Sequence, residues 1–167
     1  MPRILIVDDE PGIRESIAMI LEYEGYETGA AETGEEGLAR ITEQKYDAVL
    51  LDINMPGIDG FETLRRIKEI DKHLNVVIIS AYGNIDNAIK ATKTGAFDFL
   101  EKPVDRDKLL ITVRNASEQA ILKKEYETIK KEIEAPSPIL GNSKQIKNIL
   151  EMIAKVAPTD ARVLILG

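Results

Sequence analysis

Residues 3–9, RILIVDD, are the most informative part of the sequence, because an uninterrupted apolar run ends there in two acids. Two later runs have the same form: residues 48–51 end in Asp52, and residues 97–100 lead into Glu101-Lys102-Pro103. Short apolar runs of this kind are typical of parallel strands that are buried on both faces. In open parallel sheets, sites form at the carboxyl ends of the strands. The sequence therefore predicts that four side chains meet at one sheet edge: Asp8, Asp9, Asp52 and Lys102.

These charged residues indicate a particular chemistry. Three carboxylates held close together repel one another and resist ionising together. A hard cation such as Mg²⁺ relieves that repulsion, since it takes oxygen ligands and keeps waters for a phosphate. A lysine beside the acids can contact the phosphate as a point charge. The residues therefore suggest phosphoryl chemistry on an aspartate.

Composition narrows the class of protein. The chain has 167 residues, enough for one full domain and a smaller piece. It has no cysteine, which excludes a disulfide framework and a thiolate metal site. A net charge of -7 argues against this segment itself binding DNA or an anionic membrane. No apolar stretch approaches the roughly 20 residues of a membrane span, and no signal-peptide pattern precedes the first strand. We expect a soluble cytoplasmic protein.

Strands and helices are predicted to alternate along the first 120 or so residues. Alternation of this kind indicates an α/β fold with a parallel sheet and right-handed crossovers. Five strands suit the flavodoxin-like order 2-1-3-4-5, which places strand one beside strand three and strand five within reach. The predicted strands are residues 3–7, 27–31, 47–52, 75–80 and 97–100. The predicted helices are residues 12–24, a segment from 33 onward, the region of 61–67, 84–94 and 107–134.

The last of these helices is unusually long and contains neither proline nor glycine. Its second half carries an apolar stripe flanked by lysines and glutamates, which amounts to about two heptads of a coiled-coil seam. A lone amphipathic helix packed on its own domain is the alternative. We favour a homodimer because the stripe continues past the expected end of the domain. The residues of this predicted dimer seam are Leu122, Tyr126, Ile129 and Ile133.

A second domain is predicted to begin near the end of the chain. Pro136 and Pro138 break the long helix and indicate a linker. A helix at 143–156 follows, with Asn142 or Ser143 as its N-cap, and then a strand at 162–166. A helix and a strand cannot bury their apolar faces alone. We therefore divide the chain into a domain at 1–120, a helical linker at 121–138 and a domain fragment at 139–167.

Several motifs together resemble the receiver domain of two-component response regulators, which has the CheY-like version of this fold. They are Asp8-Asp9, Asp52, Met55-Pro56-Gly57 with Gly60, Ser80-Ala81 and Lys102-Pro103. Residues 139–143 and 163–167 are similar to the start of the AAA+ ATPase domain in sigma-54-dependent activators of the NtrC type. Residues 91–103 resemble the NtrX branch of that family.

The resemblance implies a role for each site residue. Asp52 would be the phosphoacceptor, which attacks the phosphohistidine of a sensor histidine kinase in a reaction that depends mainly on positioning. Asp9 would ligate Mg²⁺ directly and Asp8 through water, with Asp52 and the backbone carbonyl of Asn54 completing the protein ligands. The Asn54 side chain would face the attacking water and tune the lifetime of the phosphoryl group.

Other residues would contact or report the phosphoryl group. Lys102 would contact it as a cation, and Ser80 would donate its hydroxyl. The Lys102-Pro103 peptide is often cis in the family, at a bond type where cis is accessible. Phe99 stands where the family keeps an aromatic switch, although core packing is a competing role and Phe lacks the hydroxyl of the commoner Tyr. Tyr82 could instead dominate the surface rearrangement, while His73, the only histidine, is expected to be solvated.

The main functional hypothesis is a phosphorylation switch that repacks helix four, strand five and helix five. In NtrC-type proteins such a switch changes dimer geometry and assembly of the AAA+ ring, which acts on sigma-54 RNA polymerase. Polymerase and DNA contacts would lie in domains outside this chain. A Mg²⁺-dependent phosphatase with an aspartyl nucleophile is the alternative, but those enzymes need a second acid where Asn54 stands. A P-loop ATPase is disfavoured because only a possible first glycine, Gly167, of the required motif is present.

Overall fold

The computed structural model describes residues 1–81, 85–134 and 143–158. The chain divides into two compact units, Met1–Thr128 and Ile129–Gly167. The strands are β1 (Arg3–Val7), β2 (Glu27–Ala31), β3 (Ala48–Asp52), β4 (Asn75–Ser80) and β5 (Asp98–Glu101). The helices are α1 (Pro11–Tyr23), α2 (Gly34–Glu43), α3 (Gly60–Ile70), α4 (Ile85–Thr94), α5 (Arg106–Glu134) and α6 (Lys144–Val156).

The five strands form one parallel sheet in the order β2-β1-β3-β4-β5, which confirms the predicted flavodoxin-like topology. The register aligns Val7 with Leu51, Asp52 with Ile79, and Ser80 with Glu101. The strands that precede the site therefore end at nearly the same level of the sheet.

Helices cover both faces of the sheet, which explains why the central strands are apolar without alternation. On one face, Leu51 and Ile78 pack with Leu64 of α3 and Ala91 of α4. On the other face, Leu50 and Val77 pack with residues of α1 and α5: Ile17, Leu21, Leu109 and Val113. Burial of this kind contributes roughly 1.5–3 kcal/mol for each large apolar side chain. The sheet edge is thus held by a core on either side.

Local signals fix the helix ends. Thr33 and Asp59 accept hydrogen bonds from the amides of Glu36 and Glu62, at the starts of α2 and α3. Gly25 follows α1 with a φ of +86°, a conformation that side chains other than glycine rarely adopt. Ser143 caps α6 by accepting from the amide of Ile146, while Asn142 lies outside the described residues.

Where the structure describes them, the predicted bounds agree to within one residue, except that α3 extends beyond the predicted region of 61–67 to Gly60–Ile70. α1 begins at Pro11 rather than Gly12. Proline is tolerated at the first helical position because the amide hydrogen that it lacks would have no partner within the helix there. α5 runs without interruption to Glu134, as predicted, and Leu122 and Tyr126 are exposed on it. Several predictions fall outside the described residues or side chains: Tyr82, the linker at 135–138, the strand at 162–166, and the side chains of Ile129 and Ile133. None of the described helices is both long and apolar enough to cross a membrane.

Candidate functional site

Three carboxylates surround one ammonium group at the carboxyl edge of the sheet. Lys102 Nζ lies 2.8 Å from Asp52 Oδ2, 2.9 Å from Asp8 Oδ2 and 3.1 Å from Glu10 Oε1. Asp8 follows β1, Asp52 is the last residue of β3, and both are almost fully buried, with residue exposures of 1% and 2%. The structure therefore brings together Asp8, Asp52 and Lys102, as the sequence predicts.

Burial and charge act against each other in this cluster. Burial raises the pKa of Asp8, and the Lys102 ammonium 2.9 Å away offsets part of that rise. Burial lowers the pKa of Lys102, but the contacts with the charged carboxylates of Asp52 and Asp8 outweigh it, so the net pKa lies above the usual value. Lys102 is therefore a permanent cation at neutral pH and the counter-charge for two buried acids.

Backbone amides orient the two buried aspartates in the same way. The amide of Glu10 donates to Asp8 Oδ1 at 2.9 Å, and the amide of Asn54 donates to Asp52 Oδ1 at 3.1 Å. Each aspartate thus uses one oxygen in a local turn and directs the other toward Lys102. Arg14 Nη1 also donates to the backbone carbonyl of Asp8 at 2.5 Å, which fixes the loop between β1 and α1.

The loop between β3 and α3 lies against the phosphoacceptor candidate. A Cβ atom at Gly60 would collide with the backbone carbonyl of Asp52 and the Cα of Ile53. Gly57 has a φ of +86°, which again favours glycine. Steric constraints therefore explain why glycine stands at positions 57 and 60. Asn54, which lies between Asp52 and these glycines in the sequence, is exposed.

The donor set fits a hard divalent cation. Asp8, Glu10 and Asp52 offer carboxylate oxygens that all lie within 4.8 Å of one another. Asp8 Oδ2 is buried and accepts no hydrogen bond from the described residues, although the Lys102 ammonium is close to it. An oxygen in that situation suits a metal, either directly or through a bound water.

The acidic cluster differs in one member from the predicted set. It contains Glu10, which the sequence reasoning missed, whereas Asp9 is partly buried and is not among the three clustered acids of the described chain. The available signal was the third acid in the run Asp8-Asp9-Glu10, directly before the proline of α1. A run of acids does not reveal which member turns toward a lysine 92 positions away.

The remaining predicted residues lie close to the same edge. Ser80 is fully buried at the end of β4, and its carbonyl accepts from the amide of Lys102 at 2.8 Å. The Lys102-Pro103 peptide is cis. Phe99 is half-buried and packs against the core cluster on the α3 and α4 side of the sheet, while His73 is exposed after α3.

Comparison with known proteins explains this geometry. Residues 4–114 match the response regulator receiver domain family. The chain belongs to that family. The receiver fold is also found in the solved receiver domain of NtrX from Brucella abortus, which is 43% identical with a TM-score of 0.66 and covers 69% of this chain and 98% of its own.

Longer relatives align with the receiver and with the segment that follows it. The nitrogen assimilation regulatory protein NtrX of Azorhizobium caulinodans is 39% identical over 98% of this chain, and regulatory protein AtoC of Escherichia coli is 34% identical over 99%. The structure of Brucella abortus NtrX with ADP covers 97% of the chain at 38% identity, with a TM-score of 0.72. The receiver is thus closely related to regulators of the NtrC type, and the chain spans 36% of the length of each of these three proteins.

Proposed function

We propose that this receiver is switched by phosphorylation of Asp52 and that the switch controls assembly of a sigma-54-dependent transcription activator. The observation that carries the proposal is the 2.8 Å contact between Lys102 Nζ and Asp52 Oδ2 beside the buried Asp8. A buried nucleophile with a cation already in place is pre-arranged to receive an anionic group.

The proposed reaction is phosphoryl transfer from the phosphohistidine of a sensor histidine kinase. An Asp52 carboxylate oxygen forms the new oxygen–phosphorus bond while the bond from phosphorus to the imidazole nitrogen breaks. The electron pair of that bond stays on the imidazole, which can then take up a proton. Lys102 contacts a phosphoryl oxygen, and the Ser80 hydroxyl donates to another. Nothing is oxidised or reduced, and one turnover leaves the receiver phosphorylated.

Mg²⁺ is the proposed cofactor. Asp8, Asp9, Asp52 and the backbone carbonyl of Asn54 would hold it, and the buried Asp8 oxygen supports a cation at this position. When bound, it would neutralise the charge that develops as two anionic groups approach each other. The Asn54 side chain, exposed at the mouth, would govern the access of water to the acyl phosphate.

The phosphoryl group would act through β4 and β5. It adds charge and acceptor oxygens, which draw Ser80 and Lys102 toward Asp52 and bias a pre-existing equilibrium between two states. The half-buried Phe99 is the proposed internal switch, and Tyr82 is a second candidate. Since α5 follows β5 directly, a change in this region can reach the long helix.

The proposed output is a change in a homodimer. Leu122 and Tyr126 are exposed on α5, with residue exposures of 65% and 68%, and Ile129 and Ile133 continue the same sequence stripe. We assign residues 1–120 to the receiver, 121–138 to the dimerising linker and 139–167 to the start of an AAA+ domain. We also propose that the protein is cytoplasmic. Sigma-54 RNA polymerase and DNA would be contacted through domains outside this chain.

Phosphorylation of Asp52 can be tested with the chain itself. Acetyl phosphate and Mg²⁺ are expected to add one phosphoryl group to the wild type, as read by intact mass, and none to Asp52→Asn. Continuous release of phosphate over many turnovers from several small esters would instead support the phosphatase alternative. A wild type that gains no phosphoryl group would contradict the phosphoacceptor role.

A further inference from the structure

We infer that Glu10 is an electrostatic gate of the phosphoacceptor site. Before phosphorylation, Glu10 accepts a hydrogen bond from the Lys102 ammonium, and it releases that N–H group to the incoming phosphoryl group. Its negative charge thereby discriminates among phosphodonors according to their own negative charge. The inference rests on the proposed function, because it concerns the entry of the phosphoryl group into the same site.

The direction of the Glu10 side chain is the first observation. Glu10 is the N-cap residue of α1, a position whose side chain commonly accepts from the first helical amides. Here it makes no capping hydrogen bond, and Oε1 instead lies 3.1 Å from Lys102 Nζ, 92 positions along the chain. The side chain is therefore committed to the lysine rather than to its own helix.

Exposure separates Glu10 from the other two acids around Lys102. Its side chain is 61% accessible, whereas those of Asp8 and Asp52 are 2% and 3% accessible. Both aspartates also hold a backbone amide, and moving them would leave that amide unpaired. Glu10 can turn into water at little cost, because an exposed ion pair contributes little net free energy. It is the partner that leaves when a phosphoryl group arrives.

The ammonium group of Lys102 donates to Asp52 and Glu10, and the Asp8 carboxylate lies 2.9 Å from it. A phosphoryl oxygen that binds Lys102 must compete with these carboxylates, of which Glu10 is the exposed one. Until then, the charge of Glu10 stands at the mouth of the site and repels an anionic donor. The repulsion is larger for a dianionic acyl phosphate than for a phosphoramidate, whose amino group reduces the net negative charge.

The test compares Glu10→Gln with Glu15→Gln, which removes the same charge from an exposed position of α1 outside the Lys102 cluster. Phosphorylation rates are measured by intact mass with acetyl phosphate and with phosphoramidate, at saturating Mg²⁺ and at low and high salt. Glu10→Gln is expected to react about two- to fivefold faster than wild type with acetyl phosphate. The gain is expected to be smaller with phosphoramidate and to shrink at high salt, as screening removes the repulsion. Glu10→Ala should show the same pattern, and Glu15→Gln should match the wild type.

A Mg²⁺ titration separates the gate from a role as metal ligand. The gate predicts that Glu10→Gln loses no more Mg²⁺ affinity than the roughly tenfold expected from removing one charge about 5 Å from a divalent cation, and that it still reacts faster at saturating Mg²⁺. A large loss of Mg²⁺ affinity with slower phosphorylation would overturn the inference and make Glu10 a ligand. If the wild type accepts a phosphoryl group and Glu10→Gln does so at the same rate, the inference about Glu10 is overturned but the proposed function is not. A wild type that accepts no phosphoryl group would overturn the proposed function and the gate with it.

Discussion

Lys102 Nζ lies 2.8 Å from Asp52 Oδ2, although the two residues are 50 positions apart and β4 separates their strands. The amide of Lys102 also donates to the carbonyl of Ser80 on that intervening strand. The lysine is therefore held by its backbone to β4 and by its side chain to the end of β3. A change in the charge of Asp52 acts directly on the residue that joins these strands to β5.

Replacing Lys102 by methionine is expected to strengthen Mg²⁺ binding. A monovalent and a divalent cation about 5 Å apart repel by roughly 1.5 kcal/mol even in water, which corresponds to about tenfold in affinity. Calorimetric titration of Lys102→Met with Mg²⁺ measures this directly. Lys108→Met, which removes an exposed lysine of α5, is the control and should bind as the wild type does. Unchanged affinity in Lys102→Met would show that the lysine and the metal do not share these carboxylates.

Asp8→Asn is expected to raise the free energy of unfolding at neutral pH in the absence of divalent cations. Burial raises the pKa of Asp8, so the folded protein takes up a proton at a higher pH than the unfolded chain does. Above the pKa of Asp8 in the folded protein, the charged carboxylate therefore lowers the free energy of unfolding of the wild type. This destabilisation is relieved as the pH falls toward 3.8, the ordinary pKa of the group. Urea titrations from pH 7 to pH 4 should show the advantage of the variant shrinking steadily. A stability difference between Asp8→Asn and the wild type that grows as the pH falls would contradict the predicted direction.

Gly60→Ala is expected to destabilise the receiver by about 1–3 kcal/mol, because the new methyl group meets backbone rather than a movable side chain. The displaced backbone belongs to Asp52 and Ile53, so phosphorylation by acetyl phosphate should slow as well. Gly12→Ala is the matched control: its Cβ meets nothing within 4 Å, and alanine suits a helix better by roughly 0.5–1 kcal/mol. Thermal unfolding of the two variants should move in opposite directions.

The double variant Leu122→Glu with Tyr126→Glu is expected to self-associate more weakly. Both side chains are largely exposed on α5, and acidic residues at the seam of a coiled coil repel their counterparts in the partner. Sedimentation over a range of concentrations gives the dissociation constant, with Asn115→Glu as a control on an exposed position of the same helix. If α5 is a lone amphipathic helix, the double variant and the wild type will sediment alike.

The fold was largely predictable because its central strands are buried on both faces. Uninterrupted apolar runs such as residues 76–79 admit few alternatives once helices with an apolar stripe lie between them. Termination signals were equally local: Gly25 and Gly95 have positive φ at the positions where helices were expected to end. The boundaries that differ by one residue, as at β5, depend on pairing with β4, which no local pattern specifies.

The site was predictable in its buried part and less so at its mouth. Asp8, Asp52 and Lys102 follow strands whose ends meet in any sheet of this order, so topology alone brings them together. Glu10 lies in a loop, and its direction depends on the rotamer of an exposed side chain and on the position of Lys102. Sequence spacing carries no information on such a contact between residues distant in the chain.

Phosphorylation at Asp52 can be mapped directly by chemical trapping of the acyl phosphate. The chain is phosphorylated with acetyl phosphate and Mg²⁺, reduced with borohydride to convert a phosphorylated aspartate into homoserine, and digested for peptide mass spectrometry. If Asp52 is the phosphoacceptor, homoserine is expected at position 52 alone, with none after omission of acetyl phosphate. Modification at Asp8, Asp9 or Glu10, or a reduced peptide that still contains unaltered Asp52 when the intact protein carries a phosphoryl group, would contradict it.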